Sequence, residues 1–307
     1  MELDTILKIV KLGRLHMLTI GLLLFVMGAL FAVLSGAAFL LNRFILGYAI
    51  LLSAHLSVHY SNDYFDTDAD RYSKTTLFTG GTRVLLENPE LCRFSKWFAI
   101  FLMGLSLILA LLFIIVFSFS VLFLMFVILG NLVGWYYAAP PVRLAYRGLG
   151  EIATMVIFGL MVPGLGYLVL MGEFNVVFLI FVLPFMLYGL ALIIAVQIPD
   201  MESDHLGNKN TLIVHKGRSF GFLVIGFLLS LATLCFLIIS LINLLPAVID
   251  FRLIALLSLL PLSLGIQGLL KQPTERAPAT KLVMSALSST LLFIFMINCY
   301  FFLLLNY

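Results

Sequence analysis

The chain has 307 residues, of which 63% are hydrophobic and 11% charged, with a mean hydropathy of +1.16 and a net charge of +3. Soluble domains carry roughly 25% charged residues, so no water-soluble packing hides this much apolar surface, and the composition reads as an integral membrane protein in a lipid bilayer. The small positive balance, with no basic tract interleaved with aromatics, excludes a nucleic-acid-binding surface.

The chain opens with "MELDTILKIVKLGRLHM", which carries acids and lacks a small-residue cleavage site, arguing against a cleaved signal peptide. Runs of about twenty apolar residues then predict nine transmembrane helices near 15–41, 44–62, 95–117, 119–138, 152–171, 176–197, 219–242, 251–270 and 281–305. Spans three and four abut at "FSFS" (Phe117 to Ser120), so a fused, eight-span chain is the alternative. The basic residues decide between them. With nine spans, all of the 18 Lys and Arg except Arg43 and Arg252 fall on the side of the N-terminus. The positive-inside rule makes that side cytoplasmic, whereas fusion would scatter the later basic loops. The expected fold is an all-α bundle of nine transmembrane helices around an apolar cavity, with the N-terminus cytoplasmic. Cys92, Cys235 and Cys299 have no spacing suited to a disulfide or a zinc site.

Seven of the 15 acidic residues sit at the heads of two cytoplasmic loops, about 63–94 and 198–218: Asp63, Asp66, Asp68, Asp70, Asp200, Glu202 and Asp204. If the second span stays helical into its loop, Asn62, Asp66 and Asp70 recur every four residues and share one stripe roughly 12 Å long. Asp200 and Asp204 form the matching pair, while Asp63, Asp68 and Glu202 point elsewhere. Helix C-termini disfavour negative charge, so solvated capping does not account for the cluster. Two facing rows of hard oxygen ligands ask for divalent cations, and Mg²⁺ favours a few carboxylates plus substrate phosphate oxygens. Asn62 would add an oxygen without charge. Lys74 lies one turn past Asp70 and is placed to meet a phosphate, or is an ordinary loop lysine. His55 and His59, one turn apart beneath Asn62, are expected to line a pocket rather than bind metal, and His205 and His215 to be plain loop residues. Asn131, Gln197, Asn243 and Asn298 are candidates for bonds between helices, with Gln197 one turn before Asp200.

These residues resemble a family. "NDYFDTDAD" (Asn62 to Asp70) fits the NDxxDxxxD motif, and "DMESD" (Asp200 to Asp204) the DxxxD motif, of the UbiA superfamily of intramembrane prenyltransferases. "YAAPPVRLAYRGLGE" (Tyr137 to Glu151) and "GNKNTLIVHKG" (Gly207 to Gly217) resemble two further stretches of it. The resemblance runs from the first span to the last and implies a single domain over 1–307. It implies transfer of a polyprenyl group from an isoprenyl diphosphate to a lipophilic acceptor, with two Mg²⁺ ions. By it, Asn62, Asp66, Asp70, Asp200 and Asp204 hold metal, with Asp66, Asp200 and Asp204 catalytic. Arg83, Arg143 and Lys209 fall where the family carries basic residues that contact diphosphate or acceptor. Tyr137, with Tyr136, either steadies an allylic cation through its ring or belongs to the interfacial aromatic belt. Gly80 and Gly81 would let the first acidic loop fold over the site and keep water out.

The acceptor is less constrained. "FGLMVPGLGY" (Phe158 to Tyr167) and "IPDMESDHLGNKNTL" look most like the branch acting on dihydroxynaphthoate, as in menaquinone biosynthesis. "YAAPPVRL" has echoes in the chlorophyllide and homogentisate branches, and glycerophosphate-type or haem acceptors stay open. A divalent-cation transporter is the rival of a different class, but it would set its carboxylates near the bilayer midplane.

Overall fold

The computed structural model describes residues 3–76, 78–242 and 245–306; the expectation for Asn243 lies outside the described residues. Twelve α-helices carry the fold, with no strand among the described residues. The amphipathic α1 (Leu3–Leu12) turns at the left-handed Arg14 into α2 (Leu15–Leu34), and α3 (Leu41–Phe65) follows. After a 3₁₀ turn at Ala69–Tyr72 come the short α4 (Val84–Glu87) and the long α5 (Cys92–Phe117). Ser118 is left-handed and Ser120 caps the next helix, so "FSFS" is a tight turn into α6 (Val121–Trp135). Next, α7 (Gly150–Val156) and α8 (Val162–Met171) join through a π-helical segment, Ile157–Met161, into one rod. The chain closes with α9 (Val176–Leu206), α10 (Leu212–Ile239), α11 (Phe251–Lys271) and α12 (Arg276–Leu304).

Among the described residues, eight helices are long and apolar enough to cross a membrane: α2, α3, the segment Pro89–Phe117 that contains α5, the α7–α8 rod, α9, α10, α11 and α12. The expected span near 119–138 is the 15-residue α6, about 22 Å of helix against a hydrocarbon core of about 30 Å. The turn expected between spans three and four is present, and α6 packs back on α5 and α3. Leucine, isoleucine and phenylalanine face outward along these helices, with Ile108, Ile115 and Leu122 more than 60% exposed. Inside, Phe31 stacks on Phe181 at 3.9 Å between ring centroids, beside the buried Tyr167, Phe178 and Phe301. Helices α2 and α8 touch backbone to backbone, because a Cβ at Gly28 would fall on the Pro163 carbonyl and one at Gly166 on that of Phe25. Small residues at a helix crossing permit this approach in lipid, where packing rather than hydrophobicity holds helices together.

Long-range contacts gather the functional loops at one end of the bundle. Tyr146, after α6, reaches Asp66 at the end of α3, and Lys209, after α9, reaches the same carboxylate. Arg276 at the start of α12 bonds the carbonyls of Pro199 (2.8 Å) and Lys74 (3.1 Å), and Tyr60 bonds that of Ile9 in α1.

Candidate active site

At this end the terminal turns of α3 and α9 bring their acids around a polar cavity of about 190 Å³. Helix α3 stops at Phe65, yet the Asp66 and Asp70 amides bond the carbonyls four residues back, each at 2.8 Å. The helical path therefore continues for a turn, and Asn62, Asp66 and Asp70 line the cavity together. Asp200 and Asp204 line its other side. Asp68 is exposed and paired with Arg71 at 3.1 Å, and Glu202 turns to the buried Arg218; both face away, as their spacing predicts. Asp63 does not. It is buried in the same cavity lining, held by Arg14 and Thr82. The break at Arg14 brings one of these partners to it and the loop before α4 brings the other.

Lys209 stands among the carboxylates, with its ammonium 3.0 Å from Asp66. Burial disfavours its charge, but Asp66, Asp204, Tyr146 and Asp70 outweigh that and hold it well above the usual lysine range. Asp70 is pushed up to about 7, chiefly by burial, with Asp66 and Asp63 adding to the rise and Lys209 opposing it. Tyr146 donates to Asp66 at 2.7 Å, and burial together with that carboxylate raises its phenol. The loop at Gly80 and Gly81 folds across the cavity as expected. The Gly80 amide donates to Asp200 at 3.0 Å, Thr79 to the same carboxylate at 3.3 Å, and a Cβ at Gly81 would land on the Asp70 carboxyl group.

Of the four expected basic residues, only Lys209 lines this cavity. Arg83 donates to the Ser73 carbonyl at 2.9 Å, Arg143 lies over the Tyr146 ring at 4.9 Å, and Lys74 offers its carbonyl to Arg276. Arg83 and Arg143 both sit at left-handed backbone positions in the loops they brace. The cation that sequence spacing missed is Arg14, 49 residues from its partner Asp63. Its one legible signal was the "LGR" break between an amphipathic helix and a largely apolar one.

The polar cavity opens into an apolar one of about 350 Å³ between α2, α3, α6 and the α7–α8 rod, and Arg14, Asn62 and Tyr137 line both. His55 and His59 line the apolar cavity, as expected. Burial raises the Tyr137 phenol to about 12, so it stays neutral. Gln197 donates to the buried Glu151 at 3.0 Å, and Glu151 also accepts the Leu212 amide, tying α7 to α9 and α10. Asn131 donates to Ser106 and Asn298 to the Leu23 carbonyl, both between helices as expected. All three cysteines are free.

Among the described residues, no three His, Cys, Asp or Glu side chains form a ready-made metal cage. Mg²⁺ takes one or two carboxylates and completes its shell with water and phosphate oxygens. The donors fit such an ion. They are hard oxygens, and Asn62 Oδ1 is buried with no hydrogen-bond partner among the described residues.

The chain matches the family model of the UbiA prenyltransferase family over residues 22–297. It also resembles a solved UbiA homologue from Archaeoglobus fulgidus bound to GPP and Mg²⁺, at 17% identity and a TM-score of 0.68, covering 98% of this chain and 100% of that one. A UbiA homologue from Aeropyrum pernix K1 in its apo form matches at 17% identity and a TM-score of 0.64, over 89% and 97% of the two chains. A structure concerned with digeranylgeranylglyceryl phosphate synthase matches at 18% identity and a TM-score of 0.63, over 96% and 99%. No curated protein matches the chain by sequence. Helical bundle, acidic cavity and family match together define an intramembrane prenyltransferase. The chain belongs to the UbiA prenyltransferase family, which sets aside the transporter reading.

Proposed function

We propose that this enzyme transfers a polyprenyl group from an isoprenyl diphosphate to a lipophilic aromatic acceptor of the naphthoquinone-precursor kind, with Mg²⁺, most simply two ions. The observation that carries the reading is the junction at Arg14, Asn62 and Tyr137, where an acid-lined cavity meets an apolar one. An ionic diphosphate head needs the first, and a lipophilic reaction partner held beside that head needs the second.

Asn62, Asp66, Asp70, Asp200 and Asp204 would hold the metal, which, when bound, neutralises charge developing on the departing diphosphate. Lys209 and Arg14 supply positive charge to the same diphosphate. The allylic carbon–oxygen bond then breaks with its electron pair leaving on diphosphate, the acceptor ring attacks the carbon, and the attacked ring position sheds its proton, or its carboxyl group as carbon dioxide, to restore aromaticity. Tyr137 lines both cavities, beside the place where the donor's head would meet the acceptor, and its ring would steady positive charge on that carbon. The loop from Thr79 to Gly81 keeps water from quenching it. Lys74, Arg83 and Arg143 then act on the loops' outer side, meeting substrate only if those loops move.

The excess of Lys and Arg in the loops supports a cytoplasmic position for this end at the cell membrane, with the N-terminus on the same side and α6 as a ninth, shortest crossing. The similarity of "FGLMVPGLGY" to the dihydroxynaphthoate branch supports the acceptor class; homogentisate, chlorophyllide, geranylgeranylglyceryl phosphate and haem are the competing acceptors. The test is a panel of these with one labelled donor, read by product mass. Transfer to none of the aromatic acceptors, or transfer without a divalent ion, would refute the proposal.

A further inference from the structure

The acid-lined cavity has two apolar neighbours, and they differ in kind. The first is the 350 Å³ cavity already described. The second, about 160 Å³, lies between α2, the α7–α8 rod, α9 and α12, and meets the acidic cavity at Phe78 and Val196, which line both. Ile20, Phe158, Leu192, Leu287 and Ile294 are among its walls, with Thr290 as the one hydroxyl, and Met17 lines both apolar cavities.

The first cavity instead keeps unmet polar atoms. Arg14 Nε and His59 Nε2 are buried without a hydrogen-bond partner among the described residues, and both side chains line it. Arg14 spends a terminal nitrogen on Asp63, which leaves its Nε–H over. The His59 ring lies 4.8 Å from that of His55, between centroids, one turn deeper in the cavity. A hydrocarbon tail would bury both atoms unsatisfied, which is costly. A ring hydroxyl offers what both lack, a donor for an imidazole nitrogen and an acceptor for a guanidinium N–H. Asn62 Oδ1, the third unmatched atom at this junction, is left to the metal.

We infer that Arg14 and His59 form an acceptor-recognition subsite that binds the ring hydroxyl of a hydroxylated arene at the mouth of the larger apolar cavity, and that the smaller cavity, apolar but for Thr290, takes prenyl tail. The inference rests on the prenyl-transfer reading and narrows its acceptor to arenes with a free hydroxyl next to the attacked position. His59 is here a specificity residue that touches the acceptor and leaves the donor alone.

The experiment measures equilibrium binding of two probes to the purified full chain: 1,4-dihydroxy-2-naphthoate, and geranyl diphosphate with Mg²⁺. Wild type, His59→Leu and His59→Gln are compared, with the dimethyl ether of the naphthoate as a third probe. His59→Leu is expected to weaken naphthoate binding at least tenfold while changing geranyl diphosphate affinity less than twofold. His59→Gln, which keeps a hydrogen-bonding group, should stay within threefold of wild type for both. The dimethyl ether should bind wild type as weakly as the naphthoate binds His59→Leu. Equal loss of both ligands in His59→Leu, unchanged naphthoate affinity, or no naphthoate binding by wild type overturns the subsite. Failure of wild type to bind geranyl diphosphate overturns the donor reading instead, and the naphthoate arm still judges the subsite.

Discussion

Replacing Asp66 by asparagine isolates the charge of one carboxylate. The amide keeps the side chain's size and an oxygen for the Tyr146 hydroxyl, which donates to Asp66 at 2.7 Å. What is lost is one negative charge in a pocket where Asp66 is 9% exposed. Two unit charges about 4 Å apart at an effective dielectric of about 20 interact by about 4 kcal/mol. At 1.36 kcal/mol per tenfold, removal of that attraction for a cation on the diphosphate costs roughly 10³-fold in kcat/KM. The fold should tolerate the change. The Lys209 ammonium loses its 3.0 Å partner but keeps Asp204 and Asp70, and crowding among the acids is relieved, so stability should shift by only about 1 kcal/mol. Initial rates of Mg²⁺-dependent diphosphate release, paired with a thermal melt in the same detergent, measure both quantities. An Asp66→Asn enzyme within tenfold of wild type would refute the assignment of Asp66 to the metal, and a collapsed melt would refute the claim that its role is in the site alone.

Further predictions follow the same geometry. Gly81→Ala places a methyl group on the Asp70 carboxyl, so the loop must shift; prenyl transfer should drop at least tenfold with little change in melting, and full activity would show that the loop does not cover the reacting atoms. Glu202→Gln breaks the Arg218 pair on a half-exposed carboxylate, while Arg218 keeps the Ile198 and Thr274 carbonyls. It should cost about 2 kcal/mol, because the buried Arg218 loses a charged partner, and leave rates within about threefold; inactivation would mean that Glu202 faces the metal. Gly28→Leu forces α2 off the Pro163 backbone, so folded protein recovered by size exclusion should fall sharply; normal recovery would contradict the close helix contact. Chelation with EDTA should abolish transfer and restored Mg²⁺ should recover it, with an unaffected rate arguing against metal dependence.

The sequence alone determined the solvent, the helices and the acids. Apolar runs are read locally, and the NDxxDxxxD and DxxxD spacings keep their meaning as long as the chain stays near-helical, which it does through Asp70. The turn between α5 and α6 was legible for the same reason, although α6 proved shorter than its apolar run. Lys209 was legible only through the family resemblance, which marks the stretch after the second acidic motif. Direction across the fold was not. Arg14 reaching Asp63, Tyr146 reaching Asp66 and the Gly80 amide reaching Asp200 join residues 49, 80 and 120 positions apart, and nothing in local spacing encodes such pairings. The basic residues chosen by position, Lys74, Arg83 and Arg143, show the converse: a sequence counts charges, but the backbone decides where each one points. Only the packed bundle set an acid-lined cavity against two apolar ones, because cavities are the spaces left between helices and belong to no single stretch of chain.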